Sequence, residues 1–143
     1  MNLNIIRGDL FTASTPYVHC ISADCALGAG IARQIELIYH VKAKLQKKQY
    51  AIEDYFKRHG GVAVKTDNII NLVTKARYSD KPTYQTLEQA LQSLKRMCSK
   101  FDITDLSMPA IGCGLDRLDF SQVKSIISDV FSDTDVNITI YLK

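Results

Sequence analysis

A three-layer α/β sandwich built on a mixed sheet is the fold class this sequence predicts, and three observations predict it. Short β-rich runs alternate with amphipathic helical stretches, the order that stacks helices on both faces of a sheet. Two of those runs, GVAVK and NIINLVT, are separated only by Thr66-Asp67, which makes one strand pair antiparallel and the sheet mixed. The chain has 143 residues, 46% hydrophobic and 23% charged, with no repeat, linker or low-complexity segment, so one domain over residues 1–143 is expected. At that length folding removes roughly 68–70% of the chain's surface from water, enough for a core of its own.

Taken in order, residues 2–6 (NLNII) alternate polar and apolar like a short strand. YVHCIS, residues 17–22, is a second strand after the breaker Pro16. The loop DCALGAG then leads into a helix on which Ile31, Ile35 and Ile38 recur at spacings of four and three, with Val41 and Leu45 continuing the stripe. AIEDYFKRH, residues 51–59, is predicted helical and ends at Gly60-Gly61. The strands at 61–65 and 68–74 follow, and beyond Pro82 a helix carries Leu87, Leu91, Leu94 and Cys98 on one face. DLSMP (105–109) is a strand. Asp119 caps the next helix, with Gln122 three residues on and Phe120, Val123, Ile126, Ile127 and Val130 as its buried stripe. VNITIYL (136–142) closes the chain as a strand.

The formal net charge is +3, and the basic residues gather at Lys42, Lys44, Lys47 and Lys48, then Lys57, Arg58 and His59. Such a run is either a solvated helix face or an attraction for a phosphate-rich partner. No row of aromatics in it reads as a platform for stacked bases, which places nucleic acid last among the partners considered. Cys20, Cys25, Cys98 and Cys113 show no Cys-x-x-Cys spacing, and His19, His40 and His59 stand at no zinc-ligand interval from them. They are expected as reduced thiols, mostly interior, and neither a metal nor a cofactor is expected. No apolar run approaches the ~20 residues of a membrane span. The N-terminal MNLNIIRGDLF lacks the long apolar stretch of a signal peptide, so an intracellular location (cytoplasmic, or nuclear in a eukaryote) is expected. Nothing in the sequence suggests an extended hydrophobic interface, so a monomer is expected.

Ligands of open α/β sheets settle beyond the carboxyl ends of strands. Two loops of this kind carry glycines: Leu27-Gly28-Ala29-Gly30-Ile31-Ala32 after the second strand, and Ile111-Gly112-Cys113-Gly114-Leu115-Asp116 after DLSMP. Glycine lets backbone N–H groups approach an anion, and a helix N-terminus adds a favourable dipole, so two facing loops suit a diphosphate. The plainer alternative is a pair of tight strand-to-helix turns, since neither loop completes a G-x-G-x-x-G or Walker pattern.

Lys75 directly follows NIINLVT, and Asp116 sits at the exit of the second loop. A lysine attacks only as the free amine, which desolvation or a neighbouring cation favours and an adjacent carboxylate opposes. Asp116 is therefore expected as a proton shuttle or resolving base rather than a permanent salt-bridge partner. The alternative is a solvated Lys75 and a turn-capping Asp116. Asp9, in RGDLF, either accepts from an exocyclic amine such as adenine's or caps a turn. Ser22 and Asp24 precede the first glycine loop and are expected to orient it, and Tyr141 offers its ring to an adenosine or fills the core's edge.

RGDLF, HCISADCALGAGIA, LVTKARYSDKPTY and above all TDLSMPAIGCGLDRLDF resemble the macrodomain family, and within it the terminal ADP-ribose protein glycohydrolase branch. The resemblance runs from about residue 3 to residue 142 in one order. It implies a three-layer α/β/α sandwich with a mixed, mostly parallel central sheet. It implies a site in which Asp9 and the backbone of Leu10 recognise adenine, with Tyr141 near the adenosine. Gly28, Ala29, Gly30 and Ile31 would line one side of the diphosphate, and Gly112, Cys113, Gly114 and Leu115 the other side and the distal ribose, with Ser22 and Thr74 also among the binding positions. Lys75 would be the nucleophile at the distal ribose, and Asp116 would support the attack and resolve the lysyl adduct.

The activity so implied removes ADP-ribose from glutamate and aspartate esters and deacylates O-acetyl-ADP-ribose, without metal or cofactor. The partners implied are ADP-ribose and ADP-ribosylated proteins. A non-catalytic ADP-ribose reader and a hydrolase of nucleic-acid-linked ADP-ribose are the alternatives. Two departures from the family pattern stand out: Ala76 replaces a second lysine beside Lys75, with Arg77 kept, and the segment around 46–60 is a few residues longer than usual.

Overall fold

The computed structural model of the protein describes residues 1–14 and 16–143. In chain order come β1 (Asn2–Arg7), a 3₁₀ turn (Leu10–Thr12), β2 (Tyr17–Ser22), α1 (Gly30–Tyr39), α2 (Lys42–Gln46) and α3 (Gln49–His59). The hairpin β3 (Val62–Thr66) and β4 (Ile69–Lys75) follows, then α4 (Tyr84–Lys100), β5 (Asp105–Pro109), α5 (Phe120–Phe131) and β6 (Asn137–Leu142). The strands form one sheet in the order β1-β6-β5-β2-β4-β3. Every neighbouring pair is parallel except β3 with β4, so the mixed, mostly parallel sheet expected from the sequence is the one observed. The carboxyl ends of β1, β6, β5, β2 and β4 consequently lie along one edge.

Strand alternation divides the core between the two faces of the sheet. Leu87, Leu91 and Leu94 of α4 and Val123 and Ile127 of α5 pack on Val18, Leu72, Met108 and Ile140. Ile35, Leu45 and Ile52 from α1, α2 and α3 pack on Tyr17, Ile21, Ile69 and Val73. Residues Ile69 to Thr74 are all buried, the near-continuous burial of a strand covered on both sides. Local signals set the boundaries. Asp119 caps α5 by accepting from the Gln122 N–H at 3.1 Å, as its spacing predicts. Thr83 and Thr86 form a reciprocal capping box at the start of α4, with bonds of 3.0 and 3.1 Å.

Four expectations need correction. The apolar stripe does not run unbroken from Ile31 to Leu45: His40 adopts a left-handed conformation (φ 53°) and closes α1, and Val41 and Leu45 are buried with α2. Ile38 falls on the outward side of the shorter helix and is 53% exposed. The hairpin turn is shifted by one residue, since Thr66 ends β3 and Asp67 takes the left-handed position (φ 53°). The basic stretch at 42–58 does hold exposed aromatics, Tyr50 at 85% exposure and Tyr55 resting on His59. Part of its charge is met locally, Lys44 by Asp67 and Arg58 by Asp54. The 3₁₀ turn after β1 has no counterpart in the sequence reading.

Candidate active site

Each parallel strand delivers a different piece to the common edge. Asp9 follows β1, Ser22 and the first glycine loop end β2, Lys75 ends β4, the second glycine loop follows β5, and Tyr141 lies on β6. They enclose a cleft of about 950 Å³. Every site residue named from the sequence lines this cleft except Thr74. Thr74 shares the α4 face of β4 with Ile70 and Leu72, opposite to Lys75, and is buried. Its carbonyl accepts the Thr86 hydroxyl at 2.7 Å, so it anchors α4 beneath the wall rather than forming it. From Lys75 on β4 to Tyr141 on β6 is three strand spacings, roughly 14 Å. The cleft is therefore long and has two chemically different ends.

At the β4 end, Lys75 Nζ donates to Asp116 Oδ1 at 2.7 Å, with the two side chains only 14% and 15% exposed. The sequence reading kept Asp116 from being a standing partner of Lys75; the structure pairs them directly. The contact that holds the ammonium is also the one through which its proton can leave, so pairing and proton transfer use the same two atoms.

The first loop is braced by Asp24. The Ser22 hydroxyl donates to it, its Oδ1 also accepts from the Ala26 N–H at 3.2 Å, and its Oδ2 accepts from the Tyr78 N–H at 3.0 Å. One carboxylate thus ties this loop to the segment after β4, which fits the orienting role read for Ser22 and Asp24. Cys25 (φ 57°) and Leu27 (φ 46°) are held in the left-handed region, a cost for non-glycine residues that recurs at functional loops. The loop runs into α1, whose N-cap, Ala29, supplies no side-chain acceptor. The first-turn N–H groups are left for whatever occupies the cleft, at the positive end of the helix dipole.

Three backbone bonds fold the second loop: Cys113 N–H bonds Ala110 C=O (3.1 Å), Leu118 N–H bonds Gly112 C=O (2.8 Å) and Arg117 N–H bonds Gly114 C=O (3.1 Å), while among the described residues the N–H groups of Gly112, Gly114, Leu115 and Asp116 have no backbone partner. Gly112 takes φ 73°, and a Cβ there would lie 2.9 Å from Leu118 Cδ1. Leu115 is 65% exposed at the lip, where it approaches Gly30 of the first loop, so the two loops meet over the cleft.

At the other end Asp9 Oδ1 accepts from the Phe11 N–H at 3.0 Å and caps the 3₁₀ turn. That is the turn-capping reading, and it leaves Oδ2 on the cleft wall for another donor. Tyr141 is half-buried against the cluster that contains Leu10. None of residues 46–60 lines the cleft, so the longer segment does not build its wall.

Tyr78 and Lys81 line the cleft and were missed from sequence. Lys81 Nζ donates to the Leu115 carbonyl at 2.8 Å, a contact across 34 residues that no local pattern announces. The cysteines and the histidine in the wall are inert. Burial, and then the charge of Asp116, pushes the Cys20 thiol up to about 12; burial and Asp119 push Cys113 to about 11. Both stay protonated and un-nucleophilic near neutral pH. His19 is lowered to about 4 by burial, against a hydrogen bond with Asn71. The Asn71 amide donates to Val64 C=O and Thr66 Oγ1, both at 2.9 Å, leaving its Oδ1 to face the ring at 2.6 Å, so Nε2 carries the proton. Among the described residues no group of three or more His, Cys, Asp or Glu side chains is placed to hold a metal ion.

No protein-family model matches the chain. It is 44% identical over 144 residues to ADP-ribose glycohydrolase OARD1 of Bos taurus, covering 97% of this chain and 90% of that protein. Identity to ADP-ribose glycohydrolase OARD1 of Homo sapiens is 43%, with the same coverage. Among solved structures, the macrodomain of Mycobacterium tuberculosis DarG matches with a TM-score of 0.75 and 25% identity, over 97% of this chain and 96% of that one. Thermosipho africanus DarTG, solved in complex with ADP-ribose, shares the fold with a TM-score of 0.79 and 20% identity, over 99% of this chain and 42% of that one.

Proposed function

The chain belongs to the macrodomain family, in the branch of the mammalian ADP-ribose glycohydrolases, and from that premise we propose that it is an ADP-ribose-binding hydrolase. It removes ADP-ribose from glutamate and aspartate ester linkages on proteins and deacylates O-acetyl-ADP-ribose. The observation that carries this reading is the half-shielded Lys75–Asp116 pair at one end of a cleft otherwise lined by loop backbone and apolar side chains. An ADP-ribose lies along the cleft with adenine at Asp9, the Leu10 backbone and Tyr141. Its diphosphate rests between the free N–H groups of α1 and the Gly112–Leu115 loop, two backbone cradles that favour negative charge without a metal. The distal ribose then meets Lys75.

Lys75 passes a proton to Asp116 and attacks the anomeric carbon as the free amine. The bond from that carbon to the ester oxygen breaks, and its electron pair leaves with the acceptor carboxylate. Asp116 releases that proton to solvent and, as the carboxylate again, takes a proton from the water that attacks the adduct's sugar carbon; the carbon–nitrogen bond breaks to free ADP-ribose and the neutral amine, and Asp116 passes its proton back to Lys75. The two loops gain most of their effect by holding the sugar where the amine is already within reach. With Ala76 in place of a second lysine, Asp116 is the one charged group paired with Lys75 among the described residues.

Single-turnover release of ADP-ribose from a glutamate-modified protein tests this reading, with wild type, Lys75→Ala and Asp116→Ala compared and ADP-ribose binding titrated on the same samples. Release by wild type and its loss, by about 10³-fold or more, in both variants that still bind ADP-ribose is the expected outcome. Tight binding without release by wild type would make the protein a reader instead.

A further inference from the structure

Lysines line the cleft at three places: Lys75, Lys81 and Lys143. Lys75 is neutralised by Asp116. Lys143 follows β6, three strands away at the Tyr141 end, where its carbonyl accepts from the Arg7 guanidinium. Lys81 is the lysine that remains near the reacting centre. It is exposed and has no carboxylate within ion-pair distance among the described residues. Its ammonium rests on the carbonyl of Leu115, the residue directly before Asp116. The segment that carries it is held against the first loop as well, through the Tyr78 N–H and Asp24. A positive charge is thus parked at the mouth of the cleft, one peptide unit from the carboxylate that faces Lys75, and bonded to a neutral acceptor that a better one can displace.

We infer that Lys81 is the residue that receives the departing acid: its ammonium pairs with the acceptor carboxylate as the ester bond to the anomeric carbon breaks. This rests on the hydrolase reading above. In that step the oxygen leaving the sugar gains a full negative charge, while the proton of Lys75 has gone to Asp116, so the internal pair holds no standing cation for it and Lys81 supplies one. Lys81 moves from the Leu115 carbonyl to the carboxylate, exchanging an exposed neutral contact for a charge-assisted one. The acceptor so favoured is a carboxylate, and acids that are poor leaving groups depend on Lys81 most.

The test is a series of ADP-ribosyl esters whose parent acids span a range of acidity, cleaved by wild type, Lys81→Met and Lys81→Arg. For the glutamate-like ester, kcat/KM of Lys81→Met should fall about tenfold, the scale of one exposed charge-assisted contact. The fall should shrink toward none for the most acidic parent acid, steepening the dependence of rate on leaving-group acidity. Lys81→Arg should restore the shallow dependence, and ADP-ribose affinity should be equal in all three. An equal fall for every ester, or none, overturns the inference, because a residue that merely braces the Asp116 loop would slow all of them alike. Wild type that cleaves no ester overturns the hydrolase reading and this inference together; wild type that cleaves them with a slope unchanged in Lys81→Met overturns this inference alone.

Discussion

The two glycine loops look alike in sequence and end at helices, yet they hand those helices different caps. The loop before α5 hands its helix a capping aspartate, Asp119, and closes three backbone hydrogen bonds within itself. The loop before α1 ends in an alanine cap that gives the helix no side-chain acceptor. The loop before α5 is tied down through Cys113, Arg117 and Leu118 and, besides its glycine backbone, presents the Asp116 side chain to Lys75. The loop before α1 leaves the N–H donors of the helix end itself, with the helix dipole, for a ligand. A Gly-x-Gly signal in an α/β protein therefore says that backbone comes close to something; the cap that follows says whether the helix N-terminus is left for that partner as well.

The comparison would lose its footing if the floor shared by both loops failed first, and His19 makes that floor sensitive to acid. Its folded value of about 4 lies below the ordinary 6.5, so between those values the unfolded chain takes up a proton that the folded chain refuses. Stability from this residue is complete above pH 6.5, falls with pH through that window, and is lost below about 4, by on the order of 3 kcal/mol in all. Denaturant midpoints at pH 7, 5 and 4 should fall less steeply for His19→Gln than for wild type, and equal slopes would contradict a neutral buried imidazole.

Within the loops, the sharper test gives them opposite responses to a carboxylate. Ala29→Asp caps α1 and places a negative charge where the diphosphate rests. ADP-ribose affinity should fall about a hundredfold while thermal stability holds or rises slightly. Asp119→Ala removes the cap of α5 and should do the reverse, costing about 1 kcal/mol of stability with little change in affinity. Calorimetric titration beside thermal melts reads both, and a loss of affinity in both variants would mean the loops share one role. Between these in size stands Gly112→Ala, where the left-handed φ and the 2.9 Å approach to Leu118 should cost about 1–2 kcal/mol of stability. Gly28→Ala, with nothing within 4 Å of the added carbon, should leave stability nearly unchanged.

What could be read from the sequence was whatever local periodicity or adjacency encodes. The buried run of β4, the Asp119–Gln122 cap and the two glycine loops are all of that kind, and the structure places them as read. The break at His40 was hidden because a histidine in the left-handed region carries no compositional mark, whereas glycine at the end of α3 does. Thr74 was named as a binding position only by the family resemblance, and strand alternation turns it to the face opposite Lys75. Lys81 was missed because its contact is with a carbonyl 34 residues away, and only the folded chain brings the two together.

The most direct test is chemical capture of the adduct. Wild-type protein would be mixed with a glutamate-ester substrate, quenched into borohydride during the first turnover, and digested for mass spectrometry. Lysine attack predicts an ADP-ribose-derived mass on the peptide carrying Lys75, appearing before product and vanishing when the quench is delayed. Full release of ADP-ribose with Lys75 never labelled would contradict it.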